Sequence, residues 1–251
     1  MVEELLTNEL ERLRQELAEH ERRAADRERQ LERFAADLRD TFRREREQEQ
    51  AVRDSWVATV RVLINAVEAR DAYTGRHAER VAAYGLELAA GIDPSMTDDP
   101  QIEFGFLLHD VGKVGISDSI LHKPGPLTRS EWGLMRRHTV LGSEIISEIN
   151  FLEKANEVVR SHHERWDGRG YPDGLAGEEI PLPARIFAVA DTLDAITTER
   201  PYRPSSSVPA ALDEIALESG AQFDPQVVAA LQRVPLATLE LIRGGPAAEA
   251  A

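Results

Sequence analysis

The absence of glycine and proline from the first fifty residues limits the fold more than any other feature of the sequence. From Glu3 to about Arg53 the chain is built mainly from Leu, Glu, Arg, Ala and Gln, which are all strong helix formers. Glycine and proline are the residues that most readily interrupt a helix. The segment is therefore predicted to form one long helix.

Apolar residues on this helix recur at every seventh position, as they do in a coiled coil. The apolar seam consists of Leu10, Leu17, Ala24, Leu31 and Leu38, with Leu6, Leu13 and Phe34 in a companion register. His20 and Arg27 interrupt it. A seam of this kind is typical of self-association, so residues 1–60 are predicted to form a coiled-coil helix that pairs two copies into a homodimer. The alternative is a solvated single helix that packs on its own domain.

The remainder is predicted to be a helical domain over residues 61–240, followed by a flexible tail at 241–251. Its apolar residues follow a helical period, and Val and Ile form no convincing alternating strand. The predicted helical segments are 77–90, 101–109, 128–149, 153–163, 183–197, 207–219 and 225–233. The Gly- and Pro-rich stretches 112–127 and 164–182 are predicted to be long loops, which are usually functional inside a domain. The predicted fold class is all-α.

Composition and charge exclude several classes of protein. The chain has no cysteine, so a bound metal must use nitrogen and oxygen ligands. A net charge of −15 argues against binding to a nucleic acid polymer, which requires a basic face. No apolar leader and no run of ~20 apolar residues is present, so we expect a cytoplasmic protein without a membrane span.

Five of the seven histidines stand in settings that favour a metal site. They are His77, His109, His138, His162 and His163, and the carboxylates Asp110 and Asp191 accompany them. Asp191 follows an apolar run, where an unpaired carboxylate would be costly. A lone histidine on an apolar helix is more often a hydrogen-bonded core residue than a ligand. The prediction therefore depends on the whole set and on nearby Lys113, one of only three lysines in the chain.

A series of motifs between Asp71 and Asp224, in order along the chain, resembles the HD-GYP family. The motifs are DAYTGRH at 71–77, HDVGKVGI at 109–116, KPGPLT at 123–128, His138, HHERWDGRGYP at 162–172, IPLPARI at 180–186, ADTLDA at 190–195, RPYR at 200–203 and, more weakly, QFDP at 222–225. The resemblance covers more than half of the chain. Its most specific part is the histidine pair followed by Gly170, Tyr171 and Pro172.

The resemblance implies an HD-type helical bundle that hydrolyses cyclic di-GMP to pGpG and often onward to GMP. It implies two metal ions, with Asp110 bridging between them. The first ion would be held by His77, His109, Asp110 and Asp191, and the second by Asp110, His138, His162 and His163. A hydroxide bridging the ions would attack phosphorus in line with the departing 3′ oxygen. Mixed imidazole and carboxylate ligands suit iron or manganese.

The resemblance also implies residues that contact the substrate. Lys113 is expected to bind the scissile phosphate and to act with Asp110 in catalysis, and Arg185 is a candidate for the phosphate or the guanine. Gly170, Tyr171 and Pro172 would form a loop for substrate or partner contacts, or only a structural turn. Tyr171, with Trp166, would either stack on guanine or pin this loop.

Some members of the family that this chain resembles bind a third metal ion through an acidic ligand about one turn before the first histidine, which is His77 here. Ala72 and Tyr73 occupy that region, so two ions are expected; the alternative is that Glu68 or Asp71 lies closer than its spacing suggests.

Three other functions compete with this prediction. The chain would hydrolyse another cyclic dinucleotide or nucleotide, bind cyclic di-GMP without turnover, or serve as a coiled-coil scaffold. Degenerate members typically lack metal ligands, and every expected ligand is present here. The input would come from a signalling partner, from dimerisation or from a part of the protein outside this chain.

Overall fold

The structure is a computed structural model and describes residues 2–68, 77–199 and 205–244. Within these ranges it contains helices and no strand, so the all-α prediction is confirmed. The α-helices are α1 (Val2–Glu68), α2 (His77–Ile92), α3 (Pro100–Leu108), α4 (Asp118–Leu121), α5 (Arg129–Met135), α6 (His138–Ser147), α7 (Glu153–Ser161), α8 (Leu182–Thr197), α9 (Val208–Leu217), α10 (Pro225–Leu231) and α11 (Leu236–Arg243). Short 3-10 helices lie at Pro94–Asp98, Val111–Gly115, Asn150–Leu152 and Gly177–Glu179.

The predicted long N-terminal helix is confirmed as α1. The described seam side chains are between 45% and 68% exposed, and they are Leu13, Leu17, Leu31, Phe34 and Leu38. The side chains of Leu6, Leu10 and Ala24 lie outside the described part of the chain. Pairing of two copies through this seam stays a prediction. None of the described helices is both long enough and apolar enough to span a bilayer.

The contacts within the chain divide it into two compact units, Met1–Ala58 and Thr59–Ala251. The predicted domain boundaries at residues 60 and 240 stay predictions. In the predicted tail, residues 241–243 are the end of α11, and residues 245–251 lie outside the described ranges.

Two apolar clusters hold the helical domain together. The larger cluster joins α2, α3 and α8 to the last three helices, with Phe106 and Phe187 among its fully buried side chains. The smaller cluster lies between α3, α6 and α7, and Val60 from the end of α1 is buried in it at 2% exposure. Burial of apolar surface is the main stabilising contribution to a fold. These clusters therefore fix the helices that carry the candidate ligands.

The helix predicted over 128–149 is two helices, α5 and α6, which are separated at Arg136 and Arg137. In a continuous helix the carbonyl of Met135 would accept the backbone amide four residues later. Here that carbonyl accepts a hydrogen bond from Nδ1 of His138 at 2.8 Å. Both arginines keep right-handed helical dihedral angles, so the interruption is short and leaves His138 at the start of α6.

Candidate metal centre

Three of the predicted ligands make the same local hydrogen bond, from the ring Nδ1 to the backbone carbonyl three residues earlier. Nδ1 of His109 donates to the carbonyl of Phe106 at 2.8 Å, and Nδ1 of His162 donates to the carbonyl of Val159 at 2.9 Å. His138 makes the equivalent bond to Met135, also three residues earlier. A carbonyl only accepts hydrogen bonds, so Nδ1 carries the proton in each ring. The lone pair of Nε2 is left available in all three.

These nitrogen atoms converge on one point in the domain. Nε2 of His138 lies 3.2 Å from Nε2 of His162. One ring nitrogen from each of His138, His162 and His163 falls within 4.8 Å of the other two. Three histidine side chains aimed at one point form the donor arrangement that suits a divalent transition metal.

Asp110 joins this cluster because it directly follows His109 at the end of α3. Its carboxylate lies 3.1 Å from Nε2 of His109 through one oxygen and 3.5 Å from Nε2 of His138 through the other. Nζ of Lys113 lies 2.8 Å from the same carboxylate. Asp110 thus stands between two histidines, which is the position that a bridging ligand requires.

Gly112 allows this approach. A Cβ atom built on Gly112 would collide with the carbonyl oxygen of His138 and the backbone nitrogen of Gly142. The absence of a side chain lets the Val111–Gly115 turn lie directly against the start of α6. Asp110 and Lys113 are therefore brought to His138 by backbone packing.

His77 and Asp191 form a second group of candidate ligands. Nε2 of His77 lies 3.3 Å from Asp191, and its Nδ1 lies 2.7 Å from Asp194. Asp194 also accepts hydrogen bonds from Arg80 at 2.6 and 3.0 Å. The ring of His77 packs edge-on against His109, with 5.7 Å between the ring centroids. Asp194 is 1% exposed and holds His77 in the orientation that points Nε2 toward Asp191.

Burial sets the protonation states of the cluster. It lowers the pKa of His138, lowers that of His162 strongly, and lowers that of His163 to about 4. Burial alone would raise the pKa of Asp110, but neighbouring His109 and Lys113 hold it well below its usual range. Conversely, burial would lower the pKa of His109, but the Asp110 carboxylate raises it. These pKa directions favour neutral rings for His138, His162 and His163 and an ionised Asp110, which are the forms that metal binding requires.

The residues of the cluster fit a divalent cation on the chemistry of their donor atoms. Mixed nitrogen and oxygen ligation is suitable for iron, manganese or zinc. His109 is 5% exposed and His138 and His162 are each 2% exposed. Nε2 of His109 and the Asp110 carboxylate lie 3.1 Å apart and would both be ligands of such a cation.

A cavity of about 430 Å³ opens onto the cluster. Eight of the predicted site residues line it, namely His77, His109, Asp110, Lys113, His138, His163, Tyr171 and Asp191. His162 lies behind His163 and faces a smaller neighbouring cavity of about 220 Å³ that Gly170 and Tyr171 also line. The alternative third-metal ligands, the Glu68 side chain and Asp71, lie outside the described residues, as do the other residues of 71–76 and the RPYR motif at 200–203.

Arg185 does not line either of these cavities. Its guanidinium donates to Asp224 at 2.7 Å and lies 5.8 Å from the centre of the Trp166 ring. Asp224 is 3% exposed and also accepts the backbone amide of Gln226 at the start of α10. In this structure Arg185 joins α8 to α10 under the loop that contains Trp166. Its contact with substrate stays a prediction.

The loop from Glu164 to Gly174 is closed on itself by buried polar contacts. The carboxylate of Glu164, which is 4% exposed, accepts the backbone amides of Asp173 and Gly174 at 2.7 and 3.0 Å. A Cβ atom on Gly170 would collide with the backbone of Glu164 and Arg165. Gly170 is thus required where two segments of backbone meet. Pro172 is half-buried in the same loop.

The two aromatic residues of this loop both serve to hold it. The ring of Tyr171 stacks on His163, with 4.8 Å between centroids, and lies 4.9 Å from the guanidinium carbon of Arg136. The backbone amide of Trp166 donates to the carbonyl of Gln222 at 3.1 Å. The contacts of the Tyr171 ring favour a role in fixing the loop, and stacking of either ring on guanine stays a prediction.

Three residues that line the cavity were not predicted to belong to the site. They are Asp194, Arg80 and Trp132. A signal for the first two was available in the sequence. Arg80 follows His77 by three residues and Asp194 follows Asp191 by three, and residues at this spacing share one face of a helix. Two such pairs on facing helices predict a charged contact between α2 and α8.

The chain resembles proteins with assigned activities. It is 40% identical over 204 residues to the cyclic di-GMP phosphodiesterase response regulator RpfG of Xanthomonas campestris, covering 80% of this chain and 51% of that protein. It is 43% identical over 169 residues to a cyclic di-GMP phosphodiesterase of Thermotoga maritima, covering 66% and 46%. It is 42% identical over 168 residues to 3'3'-cGAMP-specific phosphodiesterase 2 of Vibrio cholerae, covering 66% and 32%. The chain thus spans between a third and a half of the length of these relatives.

The fold has a counterpart among solved structures. The crystal structure of a cyclic GMP-AMP-specific phosphodiesterase of Vibrio cholerae, V-cGAP3, superposes with a TM-score of 0.52 at 21% identity, covering 74% of this chain and 49% of that one. The predicted HD-type helical fold is confirmed by this similarity. The profile of the HD domain family matches residues 61–227, and the relatives confirm the HD-GYP resemblance. The chain belongs to the HD domain family.

Proposed function

We propose that this chain is a metal-dependent phosphodiesterase that hydrolyses cyclic di-GMP to pGpG, GMP or both. One observation carries the proposal. The ring nitrogens of His138, His162 and His163 converge within 4.8 Å, beside a cavity that also presents Asp110 and Lys113. Relatives with identities of 40% and 43% that are named cyclic di-GMP phosphodiesterases support the choice of substrate.

The proposed cofactor is a pair of divalent ions, either iron or manganese. One ion would be held by His77, His109, Asp110 and Asp191, and the other by Asp110, His138, His162 and His163. When bound, such ions supply Lewis acidity toward phosphate oxygens and activate water as a nucleophile. The protein contributes neutral imidazoles, one carboxylate between the two groups of ligands, and a cavity that admits the phosphodiester.

Lys113 is proposed to bind the scissile phosphate. Its ammonium group is held by Asp110 at 2.8 Å, and its side chain is 21% exposed. The cation therefore faces the cavity while a ligand carboxylate fixes its position. In the reaction a water oxygen bonds to phosphorus, the bond from phosphorus to the 3′ oxygen breaks, and the leaving oxygen takes a proton. Hydrolysis of the remaining phosphodiester in pGpG would give GMP.

Direct contacts of Arg185, Gly170 and Pro172 with substrate stay predictions. Arg185 is engaged with Asp224, and Gly170 is packed on the backbone of Glu164. They support the walls of the site through the loop that carries Tyr171.

Hydrolysis of 3'3'-cGAMP is the second candidate activity. It is favoured by the 42% identity to a Vibrio cholerae relative named as specific for that compound. The two substrates share the phosphodiester ring and differ in one purine base, so the metal cluster and Lys113 would act on both in the same way. The difference would have to arise where the bases lie.

A substrate panel tests this choice. Purified protein would be incubated without oxygen with Mn²⁺ or Fe²⁺ and with cyclic di-GMP, 3'3'-cGAMP or bis(p-nitrophenyl) phosphate. The proposal predicts the highest kcat/KM for cyclic di-GMP. A higher value for 3'3'-cGAMP would transfer the assignment to the second candidate, and cleavage of only the aryl ester would exclude both.

We also propose that two copies pair through α1. Exposed leucines at seven-residue spacing support this arrangement, because they would be buried in a coiled coil. Light scattering after gel filtration should give twice the 28.0 kDa chain mass. Leu17→Asp with Leu31→Asp should halve that mass, while Gln15→Asp with Arg22→Asp, both off the seam, should not. An unchanged mass in the leucine variant would contradict the pairing.

A cytoplasmic location and a signalling partner complete the proposal. The lack of cysteine is compatible with a reducing compartment, and the coil offers a route by which a partner would act on the domain.

A further inference from the structure

The lining of the cavity has an apolar part as well as a polar part. The polar part includes the histidines, Asp110 and Lys113, whereas Leu121, Trp132 and Met135 are apolar. Sites for organic ligands combine apolar and aromatic walls with a few polar groups that fix orientation. The apolar part is therefore suited to a flat organic group attached to the phosphate.

Trp132 is not required by the core of the domain. It is 48% exposed, and no residue of its helix, α5, is buried. The helix is held by a capping box between Thr128 and Glu131 and by an ion pair of 2.6 Å between Glu131 and Lys123. Removal of the indole should therefore leave the helix and the fold in place.

Trp132 also differs from the other aromatic residues near the site. Tyr171 stacks on His163, and Trp166 lies beside Arg185. Within the described part of the chain, no aromatic ring stacks on Trp132. Its ring is thus both in the cavity wall and accessible to a ligand.

The position of Trp132 along the chain places it near the metal cluster. It lies six residues before His138, and Arg136 and Arg137 keep right-handed helical dihedral angles. At the helical rise, six residues correspond to ~9 Å. In a cyclic dinucleotide each base is separated from the phosphate by only one ribose. Since Trp132 and Lys113 line the same cavity, we expect a base to reach the indole while its phosphate remains at Lys113.

We propose that Trp132 is a stacking platform for one purine base of the cyclic dinucleotide. Leu121 and Met135 would pack against the edge of the same base. The proposal rests on the proposed function and adds to it a residue that binds substrate. Stacking on an aromatic ring tolerates any base, since every base has a π face. Trp132 would therefore strengthen binding of both purines and would not select guanine over adenine.

The first test compares Trp132→Ala, Trp132→Phe and Leu134→Ala. Leu134 lies on the same helix and is 46% exposed, but it is absent from the cavity lining, so it is a matched control. Loss of one stacked base weakens binding roughly 5- to 150-fold. We expect Trp132→Ala to raise the KM for cyclic di-GMP by a factor in this range with kcat within about threefold, because the stacking is equal in ground and transition states. Trp132→Phe should recover much of the loss, and Leu134→Ala should match the wild type.

The second test measures binding directly and uses no turnover. A Trp56→Phe, Trp166→Phe protein has Trp132 as its only tryptophan, since the chain has three. Titration with the bis-phosphorothioate analogue of cyclic di-GMP should quench its fluorescence. The analogue of 3'3'-cGAMP should show the same relative loss of affinity in Trp132→Ala.

The outcomes separate the platform from the proposed function. If the wild type hydrolyses cyclic di-GMP and Trp132→Ala keeps the same KM and the same affinity for the analogue, the platform is wrong and the function stands. If the analogue binds in a Trp132-dependent way without turnover of the natural compound, the platform stands and the phosphodiesterase assignment is wrong. If no cyclic dinucleotide binds or reacts, both are wrong.

Discussion

Asp194 offers a sharp test of how the site is held, because one buried carboxylate serves two partners. It is 1% exposed and accepts hydrogen bonds from Arg80 at 2.6 and 3.0 Å, while Nδ1 of His77 lies 2.7 Å away. The Arg80 side chain is itself only 12% exposed. Asp194→Ala would leave a buried guanidinium without this carboxylate.

The expected loss of stability follows from that burial. Removing one member of a buried ion pair typically lowers the free energy of unfolding by about 3–5 kcal/mol, out of a total of ~5–15 kcal/mol for a domain. Asp194→Asn keeps hydrogen-bonding capacity but removes the charge, so its loss should be smaller. Changing Arg80 and Asp194 together to alanine should lower stability by less than the sum of the two single changes, because the pair is removed as a unit.

Urea unfolding followed by tryptophan fluorescence measures these differences. Circular dichroism is less suitable because the long helix α1 contributes heavily to the signal. Asp213→Ala, which removes an exposed carboxylate of α9, is the matched control and should change stability by less than about 0.5 kcal/mol. A loss below about 1 kcal/mol in Asp194→Ala would refute the reasoning, since it would mean that the ion pair contributes no more than a surface pair.

Three further predictions follow from the same contacts. Gly112→Ala should destabilise the domain by about 1–3 kcal/mol or more, because the added Cβ meets backbone atoms of His138 and Gly142. The control Gly91→Ala has no neighbour within 4 Å and should be neutral or stabilising by up to about 1 kcal/mol. Equal melting temperatures for the two variants would contradict this prediction. Addition of Mn²⁺ at ~100 times its Kd to chelator-treated wild-type protein should raise the free energy of unfolding by about 2.7 kcal/mol. His138→Ala should show a smaller increase or none. An equal increase in both proteins would mean that the ion binds elsewhere. The pKa of Asp167 is lowered from 3.8 chiefly by its hydrogen bond from Arg165, so the carboxylate stabilises the fold fully at pH values above 3.8 and loses this effect as the pH falls through the folded-state pKa. Asp167→Asn should therefore lower the urea midpoint at pH 7, by a difference that shrinks in acid. A difference independent of pH would contradict a stabilising role for the ionised carboxylate.

Local pattern was sufficient to predict the long helix and to single out most of the candidate ligands. Helix α1 follows from composition alone, since no residue in its first fifty positions interrupts a helix. His109, Asp110, His162 and His163 stand at helix ends that adjoin glycine-rich turns, and such turns are visible in the sequence. The loop over 164–182 was also predicted, because its Gly and Pro residues exclude regular structure.

Contacts between distant segments were harder to predict. Arg185 and Asp224 are 39 residues apart, and no local pattern indicates that they pair. At the interruption between α5 and α6, the side chain of His138 bonds to the carbonyl of Met135. Helical propensity does not distinguish this residue from its neighbours. Trp132 is similar, because an exposed aromatic residue on a short helix gains meaning only from the cavity beside it.

Asp194 represents an intermediate case. Its sequence context, a carboxylate in the apolar helix α8, shows that a cation must lie nearby. Its partner, Arg80, lies on α2, more than a hundred residues earlier. Only Asp191, three residues earlier, was predicted to need a cation, so Asp194 and its partner were both missed although the same reasoning applies to Asp194.

The central claim is that the histidine and carboxylate cluster hydrolyses a cyclic dinucleotide. The most direct test follows cyclic di-GMP by chromatography during anaerobic incubation with Mn²⁺ or Fe²⁺, for the wild type, Asp110→Ala and His122→Ala. His122 is an exposed histidine outside the cavity lining, so its variant controls for the loss of a histidine elsewhere. We predict that pGpG or GMP forms with the wild type and His122→Ala and is absent with Asp110→Ala. Binding of cyclic di-GMP without product under every metal, or equal product from all three proteins, would contradict the claim.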